Sequence, residues 1–284
     1  MKGLCCNSGL LSHVGIEEAI DILAEEGYQG VEVSLEPDPP FLPKTPPHMS
    51  PNDDAATRTR VRDHARKAGV AIAALNAHTN LIAPTRQQRQ TNLNFVKGAI
   101  QLAADLEASY VIFCPGAKTY YGHEKTYWER GVAAYRELLP EARKKGVQLT
   151  VEAASLPGCL VRNVETMQKF LSYDGLEDAR IIFDPAHYHV RGDDVTQAYK
   201  ALHEKVVHMH AKDARGNPED FVFPPLGQGD IDLDSLIGEM VGAGYDGYFS
   251  LEYEAMAWGY PFESRQILRE GKAFLERILS KHLG

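Results

Sequence analysis

Val206-Val207-His208-Met209-His210-Ala211-Lys212-Asp213 decides how the chain is read. Its β-branched start marks a short strand, and side chains on a strand alternate between two faces. His208, His210 and Lys212 therefore share one face, and Val207, Met209 and Ala211 the other. Imidazole and ammonium groups at the carboxyl end of a buried strand cost desolvation energy unless they are coordinated or paired. The octet thus predicts a site whose partners come from elsewhere in the chain.

Working outward, the same punctuation recurs. Residues 4–6, 30–34, 70–76, 110–114, 147–152 and 180–184 read as six earlier strands, and 247–252 as an eighth. Helical apolar spacing, such as Ile16, Ala19, Ile20 and Leu23, predicts helices over 15–26, 53–67, 86–106, 127–145, 163–171, 196–203, 232–243 and 263–279. A proline-rich loop, 35–52, holds seven of the sixteen prolines and excludes a regular element. Eight strands alternating with helices over ~250 residues predict an α/β fold, a (β/α)8 TIM barrel, with residues 1–284 as a single domain. A doubly wound open sheet fits less well, because the glycine fingerprint after the first strand is missing.

Composition narrows the class. Hydrophobic residues make up 44% and charged residues 24%, so the core needs no disulfide or structural metal to fold. A net charge of −9 argues against a nucleic-acid backbone as partner. Cys5, Cys6, Cys114 and Cys159 lack zinc-knuckle spacing and read as buried thiols in a reducing compartment. No apolar run approaches the roughly 18 residues of a membrane span, and the first residues show no targeting pattern. A cytoplasmic protein with no membrane partner is expected.

In such a barrel the carboxyl ends of the strands converge on one mouth. There the fifth to eighth strands end in Glu152, Asp184, His210 and Glu252. Three crowded carboxylates repel, and a divalent cation relieves them. Three oxygens and one imidazole favour Mn²⁺, with Mg²⁺ or Co²⁺ as alternatives, over a thiolate-type zinc site. The competing reading is four unrelated polar strand ends facing water. An α-hydroxyketone held at such a cation acquires an acidic C–H that a carboxylate removes. Glu152 and Glu252, three strands apart, are placed to act on opposite faces of the resulting enediolate. A neutral His210 is required for ligation, so metal affinity is expected to fall below about pH 6.

Other residues are read more cautiously by their surroundings. Glu32, Asn76 and His78 close the second and third strands as solvated ends or substrate contacts. His208 reads as a hydrogen-bonded core histidine. Lys212 and Asp213 either pair with each other or orient substrate, and Glu254 reads as solvated or supporting Glu252. Gly227-Gln228-Gly229 is too short for a phosphate loop, and Asp230, Asp232 and Asp234 around it would repel phosphate. The proline-rich loop and Trp258-Gly259-Tyr260 are expected over the mouth, as water-excluding walls, rim packing or subunit contacts.

Val151-Glu152, Phe183-Asp184-Pro185-Ala186-His187, His210-Ala211-Lys212-Asp213, Gly227-Gln228-Gly229-Asp230-Ile231-Asp232 and Leu251-Glu252 resemble the sugar phosphate isomerase/epimerase family. These are xylose isomerase-like barrels that include ketose 3-epimerases and inosose isomerases and dehydratases. The resemblance covers nearly the whole chain. It implies metal ligation by Glu152, Asp184, His210 and Glu252, proton movement by the two glutamates, and substrate contacts from His187 and Arg215. Lys212 and His78 are further substrate-binding candidates. The implied activity is isomerisation or epimerisation of a keto sugar or keto-cyclitol, and self-association into a homo-oligomer is expected. The alternative is a lyase, an inosose or keto-sugar dehydratase, with His187 or Lys212 as the acid. A nuclease like endonuclease IV fits poorly, because the fourth strand ends in Cys114-Pro115 and the net charge is −9.

Overall fold

The strand predicted from the octet forms over Val206–Ala211. In this computed structural model, which describes residues 1–35 and 46–283, it is the seventh of eight parallel strands that close into a barrel. The others are Gly3–Asn7, Gly30–Ser34, Ala71–Asn76, Tyr110–Phe113, Gln148–Val151, Arg180–Phe183 and Tyr248–Leu251. Each strand pairs with its sequence neighbours, and the first closes on the eighth, Gly3 opposite Tyr248 through Cys6 opposite Leu251.

Alternation along these strands explains both layers of the core. Val31, Val33, Val111, Phe113, Leu149, Val151, Ile181, Phe183, Met209 and Phe249 join one large apolar cluster with the helices. On the opposite phase, Ala74, Tyr110, Ile112 and Ile182 form a smaller separate cluster inside the barrel. Further along that same phase, towards the carboxyl ends, the side chains turn polar.

Several crossover helices begin where a side chain takes up free backbone N–H groups. Asp54 Oδ1 accepts from the Thr57 N–H at 2.7 Å to start Ala55–Ala68, and Thr85 with Gln88 forms a capping box on Arg86–Leu106. Two boundaries differ from expectation: the fourth helix starts earlier, as Glu124–Lys144, and the last runs further, as Ser264–Leu283. Among the described residues no helix is long and apolar enough to cross a membrane. Residues 36–45 of the proline-rich loop lie outside the described residues, so its expected role as a wall does too.

Three short elements at the mouth were not anticipated. Helix Pro185–Val190 follows the sixth strand, an antiparallel ribbon of Arg215–Asn217 and Asp220–Val222 follows the seventh, and Ala255–Trp258 follows the eighth. The ribbon loop is tied down by Asp213. Its Oδ2 accepts from the Gly227 and Gly229 N–H groups, both at 2.9 Å, and its Oδ1 from Ala214 at 2.9 Å. Of the two alternatives for Lys212 and Asp213, pairing with each other does not occur, because backbone donors hold the aspartate. Gly229 is required by that close approach: a Cβ there would lie 2.1 Å from Asp213 Oδ1.

Candidate functional site

Parallel register brings the polar strand ends to one level. Glu152, Asp184, His210 and Glu252 are all buried, and one donor atom from each lies within 4.8 Å of the others. His210 Nδ1 is at the centre, 3.0 Å from Glu152 Oε1, 3.2 Å from Glu252 Oε2 and 3.7 Å from Asp184 Oδ2. Neither His210 Nδ1 nor Asp184 Oδ2 has a hydrogen-bond partner among the described residues. Buried polar atoms are ordinarily satisfied, so two unpartnered ones turned towards the same point fit a site built to hold a cation.

The remaining atoms of these side chains are fixed from outside. Asp184 Oδ1 accepts from the Ala186 N–H at 2.8 Å and His187 N–H at 3.4 Å, capping the short helix. Glu152 Oε2 meets His78 Nε2 at 2.8 Å. The His78 Nδ1 accepts from the Cys114 backbone N–H at 3.1 Å, which leaves Nε2 as the protonated nitrogen facing Glu152. Asn7 Nδ2 donates to Glu252 Oε1 at 2.8 Å, and Lys212 Nζ to Glu252 Oε2 at 2.9 Å.

Electrostatics follow from this crowding. Burial alone would raise the Asp184 carboxyl, but His187 and Lys212 beside it outweigh burial and hold it down at about 2. Burial opposes charge on Glu152 as well, and His210 and His78 bring it well below the usual carboxylate range. For His210 burial acts downward, yet Glu252, Glu32 and Glu152 together keep the ring well above 6.5.

Lys212 is 1% exposed and sits behind the carboxylates, off the cavity wall. Its Nζ donates to Glu254 Oε2 at 2.5 Å, lies 3.5 Å from Asp184 Oδ2, and stands 4.4 Å from the centre of the Phe223 ring. Burial alone would lower the ammonium, but Glu252, Glu254 and Asp184 hold it well above 10.5. Glu254 is thus the partner of Lys212, placed beside rather than within the four-residue cluster.

The cavity above the cluster has an empty volume of ≈ 890 Å³ out to solvent. Its wall includes the carboxylates of Glu152, Glu252 and Glu254, the imidazoles of His78 and His187, and the apolar Leu10, Leu35 and Trp258. The Ser155 N–H at 3.3 Å donates to His187 Nδ1, so Nε2 carries the proton and lies 3.5 Å from Asp184 Oδ2. Among the described residues no lysine or arginine lines the cavity. Arg215 does not join it: the guanidinium is largely exposed, bonds the Gln228 carbonyl and lies 3.6 Å from Asp230 Oδ1. Its ion partner is Asp230, in the loop beyond the ribbon. Trp258 does reach the cavity, edge-on to Phe221 and Phe223 at 5.5 and 5.7 Å.

Glu32 is the residue the sequence misplaced. It is fully buried rather than solvated, so it is neither a wet strand end nor a substrate contact. Its Oε1 accepts from Asn7 and Asn76, each at 3.0 Å, and both oxygens lie 3.0 Å from His210 Nε2. His208 Nε2 lies 3.0 Å from Oε2, which confirms His208 as a bonded core histidine. Burial would raise the Glu32 carboxyl, but His210 and the hydrogen bond from His208 bring it to about 2. The signal available was phase: Gly30, Glu32 and Ser34 share the strand face opposite Val31 and Val33.

A parallel eight-stranded barrel with an acid-rich, imidazole-centred pocket at its carboxyl mouth is the architecture of a TIM-barrel protein. The chain belongs to the xylose isomerase-like TIM barrel family, whose model matches residues 11–278. Inosose isomerase of Bacillus velezensis is 22% identical over 286 residues, covering 98% of each chain. Fructoselysine 3-epimerase of Shigella flexneri is 23% identical over 267 residues, covering 92% of this chain and 93% of its own. Inosose dehydratase of Clostridium perfringens is 23% identical over 163 residues, covering 50% of this chain and 54% of its own. Among solved structures, the IOLI protein with a bound zinc atom superposes with a TM-score of 0.78 at 20% identity, over 99% of both chains. These curated relatives are named as an isomerase, an epimerase and a dehydratase.

Proposed function

We propose that the protein is a divalent-metal-dependent isomerase or epimerase of an unphosphorylated keto sugar or keto-cyclitol. The observation that carries this reading is the pair of unpartnered buried atoms, His210 Nδ1 and Asp184 Oδ2, facing Glu152 and Glu252. Glu152, Asp184, His210 and Glu252 would hold the cation, with Mn²⁺ favoured by three hard oxygens and one imidazole. When bound, the cation supplies Lewis acidity to a substrate carbonyl and its neighbouring hydroxyl.

The chain's own groups move the protons. Glu152 takes the proton from the carbon beside the carbonyl, leaving an enediolate, and a proton delivered through Glu252 returns to that carbon from the opposite face. Exchange with solvent takes the proton from Glu152 and resupplies Glu252 after each turnover. Lys212 and Asn7 hold Glu252, and His78 holds Glu152, so each carboxylate is aimed before substrate arrives. His187 offers its Nε2–H to a substrate oxygen. Glu254, together with the lack of lysine or arginine on the wall among the described residues, disfavours a phosphate group on the substrate.

Incubation of the Mn²⁺-loaded protein with ketoses or inososes in deuterium oxide tests the reading. Deuterium is expected at the α-carbon, and Glu152→Gln, which removes the proposed base and one ligand charge, should slow that exchange by about 10²- to 10⁴-fold even at saturating Mn²⁺. No metal-dependent exchange with any α-hydroxyketone would refute it. The dehydratase relative favours one second reading, a lyase at the same site, in which His187 protonates a departing β-hydroxyl. An absorbing enone product in place of an epimer would decide for the lyase.

A further inference from the structure

We infer that Glu32 is a positioning residue that sets which nitrogen of His210 faces the cation and, through Asn7, aims Glu252; this rests on the metal reading above. Glu32 stands on the second strand, which carries none of the four candidate ligands, and lies behind the His210 ring. Both of its oxygens are 3.0 Å from His210 Nε2. A carboxylate there accepts a proton and cannot donate one, so the neutral ring keeps its proton on Nε2. The Nδ1 lone pair then points at Glu152, Asp184 and Glu252, where it has no hydrogen-bond partner among the described residues.

The second link runs through one amide. Asn7 Nδ2 donates to Glu32 Oε1 at 3.0 Å and to Glu252 Oε1 at 2.8 Å, so the two carboxylates share its two N–H bonds. Asn7 is itself fixed, because its Oδ1 accepts from the Gly9 N–H at 2.9 Å and the Ser34 hydroxyl at 2.9 Å. Glu252 Oε2 remains the oxygen nearer His210 Nδ1. One buried anion thereby orients an imidazole from the seventh strand and a carboxylate from the eighth.

Glu32, His208 and His210 also lie close enough to resemble a second metal cluster. The donors around Glu32 argue otherwise. Asn7, Asn76 and both imidazole Nε2 groups converge on it at 3.0 Å, and Ser250 Oγ adds a longer bond at 3.4 Å. A cation at that spot would be met by N–H groups instead of lone pairs. The shell is complete around an anion, and its work is orientation.

The test reads Co²⁺ affinity and the visible d–d spectrum for the full chain, Glu32→Gln and Asn76→Ala. Asn76 donates to the same carboxylate without touching any of the four candidate ligands, so its loss reports a merely structural disturbance. Glu32→Gln should weaken Co²⁺ about 10- to 100-fold and shift the d–d bands. Asn76→Ala should keep the wild-type spectrum and lose less than about threefold in affinity. A folded Glu32→Gln with wild-type affinity and spectrum, or an Asn76→Ala that loses as much as Glu32→Gln, would overturn the inference. If Glu32→Gln does not fold, histidine-¹⁵N NMR of the Cd²⁺-loaded wild type decides: coupling of the metal to His210 Nδ1 with a retained Nε2 proton supports it, and metal on Nε2 overturns it. Failure of the wild type to bind Co²⁺ or Cd²⁺ at all would instead remove the metal reading on which this rests.

Discussion

Replacing Lys212 by methionine isolates the charge balance beneath the site. The side chain is 1% exposed and its ammonium contacts Glu252, Glu254 and Asp184 at 2.9, 2.5 and 3.5 Å. Methionine keeps the length and the packing against Phe223 but leaves three carboxylates without their cation. Removing one partner of a buried ion pair costs about 3–5 kcal/mol. At roughly 2 °C per kcal/mol for a chain of this size, the metal-free melting temperature should fall by about 6–10 °C at pH 7. The sign with pH follows from both partners. Lys212 has a raised folded value, so its contribution is complete below about 10.4 and is lost as pH rises through that value. Asp184 is held down at about 2, so its contribution is complete above about 4 and is lost as pH falls towards 2. The gap between wild type and Lys212→Met should therefore be widest from about pH 5 to 10 and narrow on either side. Differential scanning fluorimetry across that range, with and without Mn²⁺, provides the assay. Added Mn²⁺ should recover part of the loss by neutralising the same carboxylates. Equal melting temperatures at pH 7 in the absence of metal would refute the assignment of Lys212 as the compensating charge.

Metal uptake at pH 7 should release a proton, because Glu252, Glu32 and Glu152 keep His210 well above 6.5 in the free protein despite burial. Affinity should then drop about tenfold per pH unit from above neutrality, a higher window than the pH 6 expected from an ordinary histidine, and calorimetry in buffers of different ionisation heat that finds no proton release would contradict this. Gly229→Ala should destabilise by about 1–3 kcal/mol in chemical denaturation, since its Cβ would meet Asp213 Oδ1 at 2.1 Å. Trp128→Ala, which empties a site only 2% exposed, should cost about 3–5 kcal/mol in the same assay, and a loss below 1 kcal/mol would mean the surrounding helices close over the gap.

The barrel was legible because many strands carry short-range signatures, such as the β-branched residues Val31, Val33, Val111, Ile112, Ile181, Ile182, Val206 and Val207, or an ionisable residue just after, as at Glu152, Asp184 and Glu252. Glu152, Asp184, His210 and Glu252 could be grouped from sequence since parallel register puts strand ends at one level. Glu32 was harder, because its burial depends on donors from the first, third, seventh and eighth strands, and no single segment records that convergence. Lys212 and Asp213 looked like a pair as neighbours, yet alternation sends them to opposite sides, one to carboxylates and the other to backbone amides. Arg215 was placed by resemblance alone, and the ribbon that redirects it has too few residues to announce itself by periodicity.

Asp184 serves two masters with its two oxygens. One seats the start of Pro185–Val190, the helix that carries His187, while the other stays free beside His210. An ion of larger radius that displaces this carboxylate must drag the helix, and with it the imidazole facing the cavity. Exchanging the metal would thus be felt as a change of sugar preference as well as of turnover, with the two shifting together.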